Sequence, residues 1–313
     1  MHLRNISQPA RGAYASLEDL IALRFPAKQL KITRRSRALS ALAGPNKSNF
    51  RGRGIDFEEV RSYQPGDDIR TIDWRVTART GNAHTKLFRE ERERPVLIVT
   101  DQRASMFFGS SHCFKSVLAA QLASLLAWSA LDNGERVGGL VFDDAGHREV
   151  RPRRSRKTVL GLLSEIARYN NRLPGDQQGP EVGFEAMLSN LRRIARPGSS
   201  LYIVSDFHGA NTDPAREHLF QLAQHTQITA VACSDPLEFK LPRAGRYAVT
   251  DGHQRSELNT GNSALQQAYQ RAMTSRRDTL KRDLLKLGVP LLSASTSEAP
   301  FSLLLGFYGE QRR

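Results

Sequence analysis

From residue 95 onward, short apolar, β-branched runs alternate with stretches of helical periodicity. That alternation leaves few folds open. Residues 96–100 (VLIVT) read as a strand. Residues 114–131 carry an unbroken helical apolar pattern through Leu118, Leu122, Leu125, Leu126 and Trp128, closed by Asn133-Gly134. Residues 136–142 predict a second strand, Asp143-Asp144 a turn, and 147–150 an antiparallel edge strand. Helices are expected over 158–169 and 184–195, a strand over 200–205, a helix over 214–225 and a strand over 228–233. Residues 236–260 read as irregular, 264–287 as a long polar helix and 290–293 as a last strand. Strands separated by helices require right-handed crossovers. The expected fold class is therefore α/β: a doubly wound, mainly parallel sheet with helices on both faces and one antiparallel edge strand.

Two zones precede this one. Residues 1–48 hold nine Lys/Arg against Glu18 and Asp19, half of the net charge of +14. They contain one helix candidate, 16–25, capped by Ser16, with Leu17, Leu20, Ile21 and Leu23 on its apolar side and Pro26 as its stop. Residues 49–94 are dense in charge, yet carry Phe57, Tyr63, Trp74 and Phe88 as anchors. Gln64-Pro65-Gly66-Asp67 is a turn; 85–88 is a short strand; Ile69, Ile72 and Trp74 are expected to tie the segment to a neighbour. The reading is thus 1–48 basic extension, 49–94 charged segment, 95–313 α/β domain.

No run approaches the roughly 18 apolar residues that span a bilayer, and the N-terminus has no signal-peptide core, so a cytoplasmic location is expected. Cys113 and Cys233 read as reduced core thiols. The basic excess raises a nucleic-acid or anionic-membrane reading, including a peripheral place at the inner membrane face. Neither basic cluster, 1–48 or 151–157, interleaves aromatics for base stacking, so nucleic acid is disfavoured. Adjacent carboxylates such as Glu58-Glu59, Asp67-Asp68, Glu90-Glu91 and Asp143-Asp144 do not make an acid/base pair on spacing alone, and ion pairing with Arg51, Arg53, Arg61, Arg70 and Arg89 is expected for most. Phosphate-loop, zinc-protease and serine-elbow motifs are absent. His84 and His208 are the histidines nearest the candidate site, and a metal-dependent hydrolase is the remote alternative.

The first and fourth core strands end in Asp, as IVTDQRAS and IVSDFHG, where open α/β sheets place ligands. This pattern resembles a von Willebrand factor A domain with its metal-ion-dependent adhesion site. FEEVRSYQPGDDIRTIDWRVTAR followed by GNAHTKLFREERER resembles the bacterial domain-of-unknown-function family 58, over residues 30–235. The positions that match the family pattern are Arg61, Tyr63, Asp67, Asp68, Arg70, Asp73, Trp74 and Arg79. Asp73 and Trp74 are read as structural: a buried Trp beside a hydrogen-bonded carboxylate. The resemblance implies a non-enzymatic protein–protein interaction module, an adaptor or chaperone-like partner of a MoxR-type AAA+ ATPase or of its client. Many relatives begin with membrane helices; this chain resembles those that do not.

The adhesion motif is Asp-x-Ser-x-Ser, then a Thr and a later Asp. Here it becomes Asp101, Arg103 and Ser105, with Ser205-Asp206 on the later strand; the middle loop, 170–183, supplies no Thr or Ser. Arg103 is expected to neutralise Asp101 and Asp206, to repel a dication and to offer its guanidinium to an acidic partner group. No cofactor is favoured; Mg²⁺ or Mn²⁺, if bound, would use Asp101, Ser105 and Asp206.

Overall fold

The computed structural model describes residues 7–32, 56–64, 67–89, 95–172, 183–250 and 255–309; the side chains of 56–59 and 86–89 lie outside that description. The chain forms two compact units, 49–94 and the remainder.

The first helix, α1 (Leu17–Ala22), is capped by Ser16, whose side chain accepts from Asp19 N. The expected helix over 16–25 breaks at Leu23. Pro26 sits inside a second short helix, α2 (Arg24–Ala27), instead of stopping the first. A proline is tolerated in a first turn because that N–H has no helical partner to lose. Leu20, Ala27, Leu30 and Ile32 are buried in the same hydrophobic cluster as Val96 and Leu122 of the α/β unit.

In the 49–94 unit, β1 (Asp56–Ser62) pairs antiparallel with β2 (His84–Arg89), Arg61 opposite Thr85. Between them lie a 3₁₀ turn (Ile69–Thr71) and α3 (Trp74–Thr80). Aspartates organise this polar segment. Asp68 caps the 3₁₀ turn and Asp73 caps α3, while Asp67 accepts from Gln64 N and pairs with Arg61 at 2.8 Å. Gly81, at φ +76, closes α3 in the left-handed conformation that favours glycine. Asp67 N donates to Gln64 O, which bears out a turn there, although Pro65 and Gly66 fall outside the described residues. Trp74 corrects the sequence reading. It is 68% exposed, and Asp73 anchors the helix start without it. Ile69 is exposed too, and Ile72 bridges to Thr85 through the backbone. Among the described residues, Arg61 with Asp67 is the pairing found of the expected carboxylate–arginine contacts; Arg51, Arg53, Glu90, Glu91 and the side chains of Glu58, Glu59 and Arg89 lie outside them.

The α/β unit runs β3 (Pro95–Asp101), α4 (Lys115–Asp132), β4 (Arg136–Asp143), β5 (Gly146–Arg153), α5 (Arg156–Asn170), α6 (Phe184–Ile194), β6 (Ser200–Ser205), α7 (Asp213–His225) and β7 (Gln227–Ser234). It continues through β8 (Arg246–Thr250), β9 (Arg255–Asn259), α8 (Ser263–Lys286), β10 (Leu291–Ser295) and α9 (Pro300–Tyr308). Six strands form one sheet in the order β10-β7-β6-β3-β4-β5, all parallel except β5. Counted by appearance in this sheet, that order is 3-2-1-4-5-6 read from the β5 edge, a doubly wound sheet whose winding reverses between β3 and β6. This is the von Willebrand factor A-like arrangement expected from the sequence.

Two hydrophobic layers sandwich the sheet. One joins α1, α4, α5 and α9; the other joins α6, α7 and the end of α8. α4 is buried along nearly its whole length. Its Ser124 Oγ and Trp128 Nε1 both donate to Leu20 O, at 2.6 and 3.2 Å, satisfying a carbonyl left open at the end of α1. Gly139 lets β4 lie close to β3: a Cβ there would stand 2.2 Å from Ile98 O.

Two elements depart from expectation. Residues 236–260 contain the β8–β9 hairpin, which pairs Arg246 with Asn259. It is exposed on both faces, so it carries no alternation to read. α9 follows the last strand and packs Leu304 and Tyr308 into the core. Cys113 and Cys233 are free and buried, as expected of core thiols. Burial, then Asp235, pushes the Cys113 thiol up to about 12, and burial raises that of Cys233. No helix among the described residues is long and apolar enough to cross a membrane.

Candidate functional site at the carboxyl edge

The winding reversal puts the ends of β3 and β6 side by side, so Asp101 and Asp206 come from adjacent strands. Arg103 follows β3 and turns back over it. Its Nε donates to Asp101 Oδ1 and Oδ2 at 3.1 and 3.2 Å, and its Nη2 donates to Oδ2 at 2.7 Å. Nη2 also donates to His208 O at 3.1 Å and lies 3.8 Å from Asp206 Oδ1. The guanidinium is stacked between the rings of Phe142 and Phe184, 5.4 and 5.2 Å from their centroids. Arg103 is only 5% exposed. Its charge is spent inside the protein, so direct capture of an acidic partner group by this guanidinium is corrected.

A second cation enters that the sequence reading missed. Lys115, the first residue of α4, is 2% exposed. Its Nζ donates to Asp206 Oδ2 at 2.9 Å and to Glu238 Oε1 at 2.5 Å. A signal existed. A helix N-terminus favours anions, so a lysine opening an otherwise apolar helix requires a carboxylate partner. Glu238 carried no signal; its place depends on a capping box in which Asp235 N donates to Glu238 Oε2 and Asp235 accepts from Leu237 N.

Ser205 Oγ donates to Asp101 Oδ2 at 2.6 Å and accepts from Phe207 N. Phe207 holds φ +55, rare for a bulky residue, and its backbone turns the chain so that His208 N donates to Asp206 Oδ1 at 2.9 Å. The network extends outward. Asp144 accepts from Ala104 N at 2.6 Å, and Asp235 Oδ2 accepts from Ser110 N and Thr296 Oγ1. The loops after β3, β4, β6, β7 and β10 are thereby tied together. Ser105 lies on this edge but outside the network; its Oγ is buried without a hydrogen-bond partner. His84 caps a turn through Asn82 O in the other unit, and His208 contributes its backbone.

This donor set does not fit a divalent ion. Both oxygens of Asp101 face Arg103, those of Asp206 face Lys115 and His208 N, and two fixed positive charges stand beside them. Among the described residues, no group of three or more His, Cys, Asp or Glu is placed to hold a metal.

The charges leave a pH signature. Burial opposes ionisation of Asp206, but Lys115, the His208 N–H and Arg103 outweigh it and hold its pKa at about 2, against an ordinary 3.8. A carboxylate depressed in the folded state adds stability that is complete above its unfolded pKa and lost as pH falls through the folded one. Stability is therefore expected to fall between about pH 4 and pH 2. Urea unfolding across that window should show a steeper loss for the wild type than for Asp206→Asn. Parallel pH profiles for the two proteins would contradict this.

A family model described as "Protein of unknown function DUF58" matches residues 59–279. The uncharacterized protein Mb1516 of Mycobacterium bovis is 29% identical over 287 residues, covering 91% of this chain and 89% of the relative. The uncharacterized protein Rv1480 of Mycobacterium tuberculosis matches to the same extent. Among solved structures, the conserved hypothetical protein BatB from Bacteroides thetaiotaomicron aligns at 14% identity with a TM-score of 0.41, over 68% of this chain and 95% of that one. With the family model spanning well over half of its length, the chain belongs to the DUF58 family.

Proposed function

We propose that this protein is a non-enzymatic interaction module that docks a partner on the carboxyl edge of its sheet, with Arg103 and Lys115 standing where a divalent ion would otherwise sit. The observation that carries this reading is the double ion pair itself, Asp101–Arg103 and Asp206–Lys115, buried at the winding reversal. Built-in cations would hold the surrounding loops in one arrangement without any ion to load, and a preformed surface costs less ordering on binding. On that edge the loop between β3 and α4 exposes Phe108, 42% accessible, as an apolar anchor. The partner suggested by the family resemblance is a MoxR-type AAA+ ATPase or the client passed to one.

Two measurements test this. Calorimetric titration of the protein alone with Mg²⁺ or Mn²⁺ is expected to show no saturable binding; micromolar binding that disappears in Asp101→Ala would sink the substitution of a metal by arginine. Surface capture of a purified MoxR-type ATPase should weaken by ~10-fold or more in Phe108→Ala, with the variant's melting temperature unchanged. Undiminished capture would place the docking surface elsewhere.

A further inference from the structure

At the opposite end of the sheet, beside the amino-terminal residues of β3 and β4, lies a cleft of about 820 Å³. One wall is a face of the edge strand β5, the other the end of α6 and the turn after it. Five arginines line it: Arg136 from β4, Arg151 and Arg153 from β5, Arg193 from α6 and Arg196 beyond it. Glu149 is the one carboxylate in that lining. Among the described residues, none of the five arginines is paired with a carboxylate; Arg136 donates to Pro152 O at 3.4 Å. Guanidinium groups gathered in a concave site focus a positive potential, and their planar forks match phosphate oxygens.

Ser199 is the second, independent observation. It lines the same cleft, is 0% exposed, and its Oγ has no hydrogen-bond partner. Its backbone is fully engaged: Ser199 N donates to Arg196 O, and Gln227 N donates to Ser199 O. A buried hydroxyl left without a partner costs about 1–3 kcal/mol, and a turn of this side chain toward the cleft would let it donate a hydrogen bond to an anion oxygen held by the surrounding arginines. Charges on an edge strand also deter strand-to-strand aggregation, which accounts for Arg151 and Arg153. That role does not reach Arg193 and Arg196 across the cleft, nor Ser199 within it.

We infer that this cleft is a binding site for a phosphate-bearing anion carrying several negative charges. No Phe, Tyr or Trp lines it, so the site reads phosphate and not bases. The chemistry is shared by a soluble polyphosphate compound and a phosphorylated lipid headgroup, and the test separates them. The site is distinct from the carboxyl edge and independent of its role.

Tripolyphosphate is the soluble probe, and vesicles of phosphatidylcholine with or without phosphatidic acid are the surface probe, both with the full chain. Calorimetric binding of tripolyphosphate identifies a soluble ligand. Sedimentation with phosphatidic-acid vesicles alone, without tripolyphosphate binding, identifies a headgroup. In either case Arg151→Ala/Arg193→Ala should weaken binding by ~100-fold and Ser199→Ala by ~10-fold. Arg276→Ala/Arg277→Ala, on α8, should leave it unchanged. If neither probe binds, or if the α8 pair weakens binding as much as the cleft pair, the inference is overturned. Ser199→Ala removes an unsatisfied hydroxyl, so its fold is expected to persist; wild-type affinity in a folded Ser199→Ala would remove the hydroxyl from the site.

Discussion

Arg103→Ala is expected to lower the unfolding free energy by about 3–5 kcal/mol, the cost of leaving a buried charge without its partner. Asp101 is fully buried and has no other cation within its hydrogen bonds; Ser205 Oγ and the Arg103 N–H are neutral donors. The alanine also removes the slab between Phe142 and Phe184, adding a cavity to the charge defect. Urea unfolding at neutral pH measures the loss. The double variant Asp101→Asn/Arg103→Met separates the causes: it restores volume and removes both charges, so it should recover most of the stability. A single-variant loss below about 1 kcal/mol would mean that the guanidinium is not held as described.

Lys115→Met should cost a comparable amount, about 3–5 kcal/mol near neutral pH, because the ammonium serves both Asp206 and Glu238. This defect has a distinct pH dependence. Burial opposes the Lys115 charge, yet Asp206 and Glu238 outweigh it and raise its pKa, so the wild-type pair is ionised throughout the ordinary range. In the methionine variant, burial acts on Asp206 with the Lys115 attraction gone, and its pKa must rise. The gap between variant and wild type should therefore narrow as pH falls toward the range where Asp206 takes up a proton. Lys115→Met/Asp206→Asn should narrow it at neutral pH as well. A gap independent of pH would mean that packing, not charge, is what the lysine supplies.

The sheet was legible because its strands are buried on both faces. The runs at 96–99 and 201–204 are hydrophobic throughout, as a parallel sheet covered on both faces requires. Asp101, Arg103 and Asp206 were legible for the same reason, since strand ends locate ligand edges. Lys115 and Glu238 arrive from 14 and 137 residues beyond Asp101, and only the completed winding brings them to Asp206. The β8–β9 hairpin and Trp74 escaped for the opposite reason. Exposed residues obey no burial pattern, so nothing in their spacing shows which way they face. The depth of Arg103 was also illegible: the residue types indicate an ion pair, but the rings of Phe142 and Phe184 that cover it come from other elements.

The order of the strands also governs time. β3 is the middle of the sheet, yet its partner β6 lies about a hundred residues further along the chain, and the contact from Arg103 to His208 spans 105 positions. Loop-closure entropy must be met before such a contact gives anything back. The charges at the carboxyl edge are fully covered only once β6 has docked, so the network is expected to form late in folding. Interactions absent from the folding transition state act on the rate of unfolding. The loss in Arg103→Ala and Lys115→Met should accordingly appear as faster unfolding with nearly unchanged refolding. On that expectation the buried ion pairs would act as a latch on the native state, setting how long the molecule stays folded more than how quickly it gets there.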